Sequence, residues 1–509
     1  MTRYPRRNFL ATCGRATALA ELGRLTQLSR LSAATPELSP STEFASPETR
    51  SLVRLIRETP RTQCVEVLIQ QLQQGLSYQA FLAALFHSAA ESQDLHQLAQ
   101  LYGAHRISSQ ARVEDRLLPL FWGLDRIKRG QESEDSPSAM KPLRGPMPTP
   151  SEAEDAFRKA MIQANKDDTE RAVVVLAQIH GAERTLFKLW DYAPNDLGGT
   201  MGHLPIGLAN ATRTLHAIGW HHAEPALRYL AREMSRPEVD RTYSDNLTRA
   251  ERTAPTLPVD WKANTGNRTA TLELYQLLRS PAPASASDYI CRALSRDGIK
   301  AGAMWDAISL AAADLIFRYR TGGGVIGGNL IHAITSTNAL RYGFNRLPTT
   351  KQTLLLLLQA AGLLSDFFIR WPAEAGGLRK MNLATDLASL PAENDGFDAV
   401  FSMLPFKSDN YDQKEASERA ASDQACRLAF QRLHTPSGQH NFQRAARSLL
   451  CIKASEDAHD FKYPAAIFED SQQASLEWRP YLLASSVHAL HGTNSADTAS
   501  LVAARQALS

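Results

Sequence analysis

Between Ser51 and Ser92 the chain reads SLVRLIRETPRTQCVEVLIQQLQQGLSYQAFLAALFHSAAES. Its apolar residues recur three and four positions apart, the spacing that lines one face of an α-helix, with breaks at Pro60 and Gly75. LLPLFWGLDRIKRG, Leu117 to Gly130, is a second amphipathic stretch. GQESEDSPSAMKPLRGPMPTPSE, Gly130 to Glu152, is polar and proline-rich and reads as an internal loop, long enough to be a boundary or a surface insertion. Helical spacing resumes at Glu152 and continues through AEDAFRKAMIQAN, RAVVVLAQIHGAERTLFKLW, PALRYLAREM, TATLELYQLLRS and GAMWDAISLAAADLIFRYR. LLLLLQAAGLLSDFFIRW, Leu354 to Trp371, is the most apolar stretch. Its uncharged run, Thr353 to Ser365, is too short to span a bilayer and is expected to be a central core helix. Strand-like alternation is nearly absent and no repeat of fixed period occurs. The expectation is an all-α protein, a large multi-helix globular body with an N-terminal helical subdomain. Its segments are 49–130, a Pro-rich loop at 131–150, a main helical domain at 151–495 and a tail at 496–509.

Composition agrees with a packed globule, at 43% hydrophobic and 21% charged residues. The net charge of +3 demands neither a nucleic-acid nor a membrane partner. The five cysteines form no C-x-x-C pair, which argues against zinc fingers, iron–sulfur runs and covalent haem. No G-x-S-x-G, H-E-x-x-H or P-loop is present, so the familiar hydrolase signatures are missing. At the N-terminus, Arg6-Arg7-Asn8-Phe9-Leu10 resembles a twin-arginine export signal, although Arg15 and Glu21 interrupt the apolar stretch after it. Residues 1–48 are therefore read as a leader followed by a Ser/Pro/Thr/Ala-rich linker. That implies an exported or periplasmic protein with the twin-arginine translocase as a partner and no membrane span in the mature chain. The alternative is a basic N-terminus on a cytoplasmic protein.

TGGGVIGGNLIHAITSTNALRYGF, Thr321 to Phe344, contains G-x-G-x-x-G at Gly322, Gly324 and Gly327. A dinucleotide loop follows a strand and has an acidic residue about twenty positions on. Here the preceding segment is helical in pattern, and no Asp or Glu lies between Asp314 and Asp366. The glycines read instead as a hinge, with a new helix starting near Gly328-Asn329 and capped by Asn329. On that helix His332, Thr335, Ser336, Ala339 and Gly343 share a face of small side chains, which lets another element approach the imidazole.

The fourteen histidines are unevenly spread. His203, His216, His221 and His222 crowd into GHLPIGLANATRTLHAIGWHHAEPALRYLA, where His221 and His222 are expected in a short turn before Pro225. Glu224 beside them reads equally as a ligand or as a favourable charge at a helix start. His96 and His105, nine residues apart, would face opposite ways on one unbroken helix. His434, His440, His488 and His491 lie in mostly polar surroundings. In CIKASEDAHDFKYPAAIFED, His459 and Lys462 are three apart and share a helical face. Singly, each histidine fits a hydrogen-bonded core residue; as a group they suit iron, zinc or copper.

Three of these segments resemble the questin oxidase-like family. GHLPIGLANATRTLHAIGW is similar to its His-bearing helix, NLIHAITSTNALR to its H-x-[VI]-T-x-x-x-A-[LVA]-R segment, and DAHDFK to its D-x-H-x-x-K segment, in the same order along the chain. LLPLFWGLD and IGWHHAEPALRYLA are similar to stretches of exported proteins of unassigned function that carry the same segments. The resemblance spans roughly Ala80 to Asp470 with gaps; the leader and the Asp-rich stretch Asn394 to Asp412 are not part of it. It implies an all-α fold and Baeyer–Villiger-type oxidation of an aromatic or quinone-like small molecule with NADPH. It points to His203, to His332 with Thr335 and Arg341, and to His459 with Lys462. The candidates are therefore His203, His222, His332 and His459 for a transition-metal ion, and His332, His459, Lys462 and Arg341 for catalysis. A non-catalytic helical binding or scaffold protein is the alternative.

Overall fold

A computed structural model describes residues 46–132, 140–236, 239–280, 283–318, 326–373, 380–393, 395–404, 416–454, 459–497 and 499–508. Residues 1–45 of the twin-arginine-like leader segment, Gly322 and Gly324, and residues 394 and 405–412 of the Asp-rich stretch lie outside these residues. Among them are twenty-four α-helices, five short 3-10 turns and no strand, so the protein is all-α. The described run before the glycines is the helix Ala301–Arg318 rather than the strand that a dinucleotide loop follows. The described residues fall into two compact units.

Unit 1 takes its residues from Met1–Leu189, Asn210–Pro237 and Asp497–Ser509. Its first helices are punctuated as the sequence suggests. Ser46 caps the helix Pro47–Glu58 by accepting from the Thr49 N–H, and Pro47 supplies the fixed φ of a first turn. Pro60 precedes the next helix, Arg61–Gln73, and Gly75 (φ +105°) stands between that helix and Tyr78–Glu91. In the latter every residue from Phe81 to Ala90 is buried, which makes it the unit's central helix. The described part of the proline-rich stretch lies within unit 1. Met140 N–H bonds to the Glu91 carbonyl, and the Lys141 carbonyl accepts from Arg228. Unit 1 thus continues past 150 into the packed pair Lys166–His180 and Glu224–Met234, joined by the buried Arg228–Glu170 ion pair at 2.9 Å. The expected tail also has a structural part. The helix Ala499–Leu508 packs on Arg61–Gln73 and Leu118–Glu132, with Leu501 and Ala504 fully buried.

Unit 2 comprises Trp190–Ala209 and Glu238–Ala496. Its axis is the helix Ala301–Arg318, buried at every position from Ala301 to Phe317. Burial all round explains why its sequence is apolar rather than amphipathic. Thr350–Ala373 and Ile326–Arg346 pack on it and on each other. The Thr350–Arg370 stretch is long and apolar enough to cross a membrane by length and composition, yet 83% of its most apolar window is buried within the protein. That is the core helix expected from the sequence. The helix after the glycines begins at Ile326, so Asn329 lies inside its first turns instead of capping it.

Candidate histidine centre

His332 sits on the helix Ile326–Arg346 and is 2% exposed. His203 is the first residue of the helix His203–Ile218. It follows a tight turn in which Met201 (φ +49°) and Gly202 (φ +74°) are both left-handed. The turn rests directly on the small-residue face of the His332 helix. A Cβ on Gly202 would fall 2.6 Å from the Ser336 Cβ and still nearer its hydroxyl, so only glycine fits. Ser336 Oγ donates to the Met201 carbonyl at 2.9 Å and holds the turn in place. Ser336 lies one helical turn beyond His332, so this clasp sets His203 against His332. Their ring centroids are 4.3 Å apart and edge-to-face at 72°. Ring nitrogens of the two come within 4.8 Å of each other.

His459 opens the helix His459–Gln473. Three side chains of the His332 helix fix its register. Asn338 Nδ2 donates to Asp470 Oδ1 at 2.9 Å, Arg341 Nη2 to the Gln473 carbonyl at 3.0 Å, and Asn345 Nδ2 to Gln473 Oε1 at 2.9 Å. Partner positions rise together, so the two helices run in the same direction. In that register the His459 ring lies 5.0 Å from His332, again edge-to-face at 82°. His332 is therefore the middle of a row of three imidazoles, His203–His332–His459, delivered by three separate helices, with all three histidines in unit 2. Lys462, 3% exposed, lies on the helical face that carries His459.

Arg341 stands apart from the row. Nine residues beyond His332 it points about half a turn away and lies roughly 13 Å along the axis. It is 3% exposed and bonded to the Gln473 carbonyl, with Asn264 Oδ1 at 3.4 Å. Burial lowers the pKa of its guanidinium, opposed by the carboxylates of Asp470 and Asp306. Its observed work is to join helices. Thr335 is buried and turns its hydroxyl to the Ile331 carbonyl at 3.3 Å.

His222 belongs to unit 1. It lies in the 3-10 turn Trp220–His222, the short interhelical turn expected from the sequence. The structure groups it with other histidines than those proposed for it: its Nδ1 is 3.0 Å from Nε2 of buried His87, and the His221 ring centroid lies 4.0 Å from its own. Burial, with the neighbouring imidazoles adding to it, pushes His87 down to about 3 and His222 down to about 4. Glu224 takes the helix-start role, 3.7 Å from Arg228. His96, half-buried, and His105 both lie on the single helix Leu95–Ser108 of unit 1, where His105 Nδ1 meets Tyr78 Oη at 3.0 Å.

Sequence reasoning missed the pair Asp460–His491. Asp460 follows His459 directly, yet its carboxylate meets His491 Nε2 at 2.7 Å with both side chains buried. His488 and His491 lie in mostly polar surroundings in the sequence, yet they are only 6% and 3% exposed. An acidic residue at a helix start is the usual surface signal, and nothing in the local sequence marks this one as turned inward. No protein-family model, no curated protein and no solved structure matches the chain.

Proposed function

We propose that unit 2 carries a histidine-lined transition-metal centre and that the protein is an oxidoreductase acting on a small aromatic or quinone-like molecule. The observation that carries this reading is the row His203–His332–His459, with centroid spacings of 4.3 and 5.0 Å. Each ring offers a nitrogen donor of the kind that suits iron, copper or zinc. Neutral imidazole is the ligating form, and ring nitrogens of His203 and His332 already lie within 4.8 Å of each other. The Lys462 ammonium, one turn on from His459, is suited to stabilise negative charge that develops on a substrate oxygen. The substrate class and NADPH rest on the three-segment resemblance. In that reaction type one atom of O2 enters a carbon–carbon bond beside a carbonyl, the other leaves as water, and NADPH supplies two electrons. Export by the twin-arginine route belongs to the same proposal and rests on Arg6 and Arg7; a reporter fused to residues 1–48 that stays in the cytoplasm would argue against it.

The test is metal analysis of the full chain after loading with iron, copper or zinc, beside His203→Ala, His332→Ala and His459→Ala, with His96→Ala and His222→Ala in the same panel. About one ion per chain, lost in His332→Ala and reduced in its two neighbours, is the expected result. NADPH consumption with a hydroxyanthraquinone under air should fall in the same order. Binding below about a tenth of an ion per chain for every metal, together with no NADPH consumption, overturns the reading and favours a non-catalytic helical scaffold.

A further inference from the structure

His221 and His222 of unit 1 line, and His87 backs, a cleft that the centre in unit 2 does not use. The cleft encloses about 870 Å³ and is walled by the starts of the helices Pro47–Glu58 and Tyr78–Glu91, the loop after Gln71, and Ile218, His221 and His222. Every lining residue belongs to unit 1. Its volume lies within the range of small-molecule sites, but its chemistry differs from the usual apolar pocket. Four hydroxyl and three amide side chains line it, Glu48 is the one carboxylate, and no lysine or arginine is among the described lining residues. Leu52, Leu55, Leu76 and Ile218 add a non-polar strip. Such a wall carries almost no fixed charge, and its hydrogen-bonding groups are neutral, with Ser46 and Ser77 also accepting from helix-start N–H groups and Gln79 donating to the Ala217 carbonyl.

His222 is the most distinctive group in that wall. Its Nδ1 is committed to His87 at 3.0 Å, which leaves Nε2 as its other hydrogen-bonding nitrogen. One proton lies on the line between two neutral imidazoles. When His87 donates it, His222 carries its own proton on Nε2 and is a donor. When His222 donates, its Nε2 bears a lone pair and is an acceptor. The pair can thus match either face of a hydroxyl without changing net charge. Burial supports this, since it holds both rings neutral at physiological pH.

We propose that this cleft is a second ligand site, specific for an uncharged, polyhydroxylated molecule of the oligosaccharide class. In it His222 contacts the ligand, and His87 acts as its positioning residue. The proposal is independent of the metal centre in unit 2 and stands or falls separately.

Isothermal titration of the full chain with maltotriose and cellotriose tests it, with gluconate and glucosamine as charged controls. Saturable binding of a neutral trisaccharide is expected at a Kd of about 1 mM or tighter. His222→Gln should weaken it at least about ten-fold, equivalent to about 1.4 kcal/mol. Gln74→Ala and Ser51→Ala, both at exposed positions of the wall, should weaken it several-fold and keep the test open if His222→Gln does not fold. The ¹⁵N resonances of His222 and His87 should shift together on binding, a response that a purely structural pair would not give. No saturable binding of either neutral sugar, tighter binding of a charged control, or affinity indifferent to His222→Gln and Gln74→Ala overturns the proposal.

Discussion

Gly202→Ala tests how the histidine row is assembled. The substitution acts in two ways. At φ +74° an alanine bears the left-handed penalty, about 1–2 kcal/mol. Its Cβ would also lie 2.6 Å from the Ser336 Cβ, so the turn must lift away and the Ser336–Met201 hydrogen bond, worth about 1 kcal/mol, is lost. With the strain of displacement the total is about 3 kcal/mol. Ser336→Ala would not relieve the clash, because the serine Cβ is itself in the way; Ser336→Gly would. Alone, Ser336→Gly costs about 2 kcal/mol, one for the hydrogen bond and one for a helical glycine. The double variant keeps the left-handed strain but has no clash and counts the lost hydrogen bond once. It should therefore be about 1–2 kcal/mol more stable than the sum of the two single changes. Urea denaturation of the four proteins, followed by tryptophan fluorescence, measures this. Additivity within about 0.4 kcal/mol would refute the claim that close packing at Ser336 is what requires glycine. Under the proposed function, Gly202→Ala should also weaken metal binding, because it moves His203 while leaving His332 and His459 untouched.

Arg341→Met removes the bonds to the Gln473 carbonyl and leaves Asp306 and Asp470 less compensated in the interior, so stability should fall by about 2–4 kcal/mol with metal content unchanged. Loss of metal at unchanged stability would instead return Arg341 to the centre, where the sequence resemblance put it. His87 is neutral when folded down to about pH 3, whereas in the unfolded chain it takes a proton near pH 6.5. Below pH 6.5 the unfolded state therefore binds more protons, and stability falls with falling pH. About 2 kcal/mol from this ring should be lost between pH 6.5 and 5, and the loss should continue towards its folded value. Urea melts across that window should show the slope in the wild type and a shallower one in His87→Gln; an equal slope in both would remove His87 as its source.

The sequence by itself determined the helical secondary structure and which side chains are on offer. Helical spacing, Ser46 before Pro47, and the breaks at Pro60 and Gly75 are local signals, and at these places local backbone preferences set where helices start and stop. The small-residue face around His332 was legible for the same reason, since helical periodicity puts Ser336 one turn above the imidazole. The glycine pattern could be set aside because its missing strand and missing acid are also sequence facts.

Which histidines meet was decided only by the tertiary structure. His203 reaches His332 because Gly202 lets a turn close on Ser336, and His459 reaches it because Asn338, Arg341 and Asn345 set the register of a helix more than a hundred residues away. His222 went to His87 in unit 1, and Asp460 turned inward to His491. These are pairings across long sequence separation. They depend on the register of packed side chains in three dimensions, and a single chain of letters records neither that register nor the direction in which a charged helix start will face.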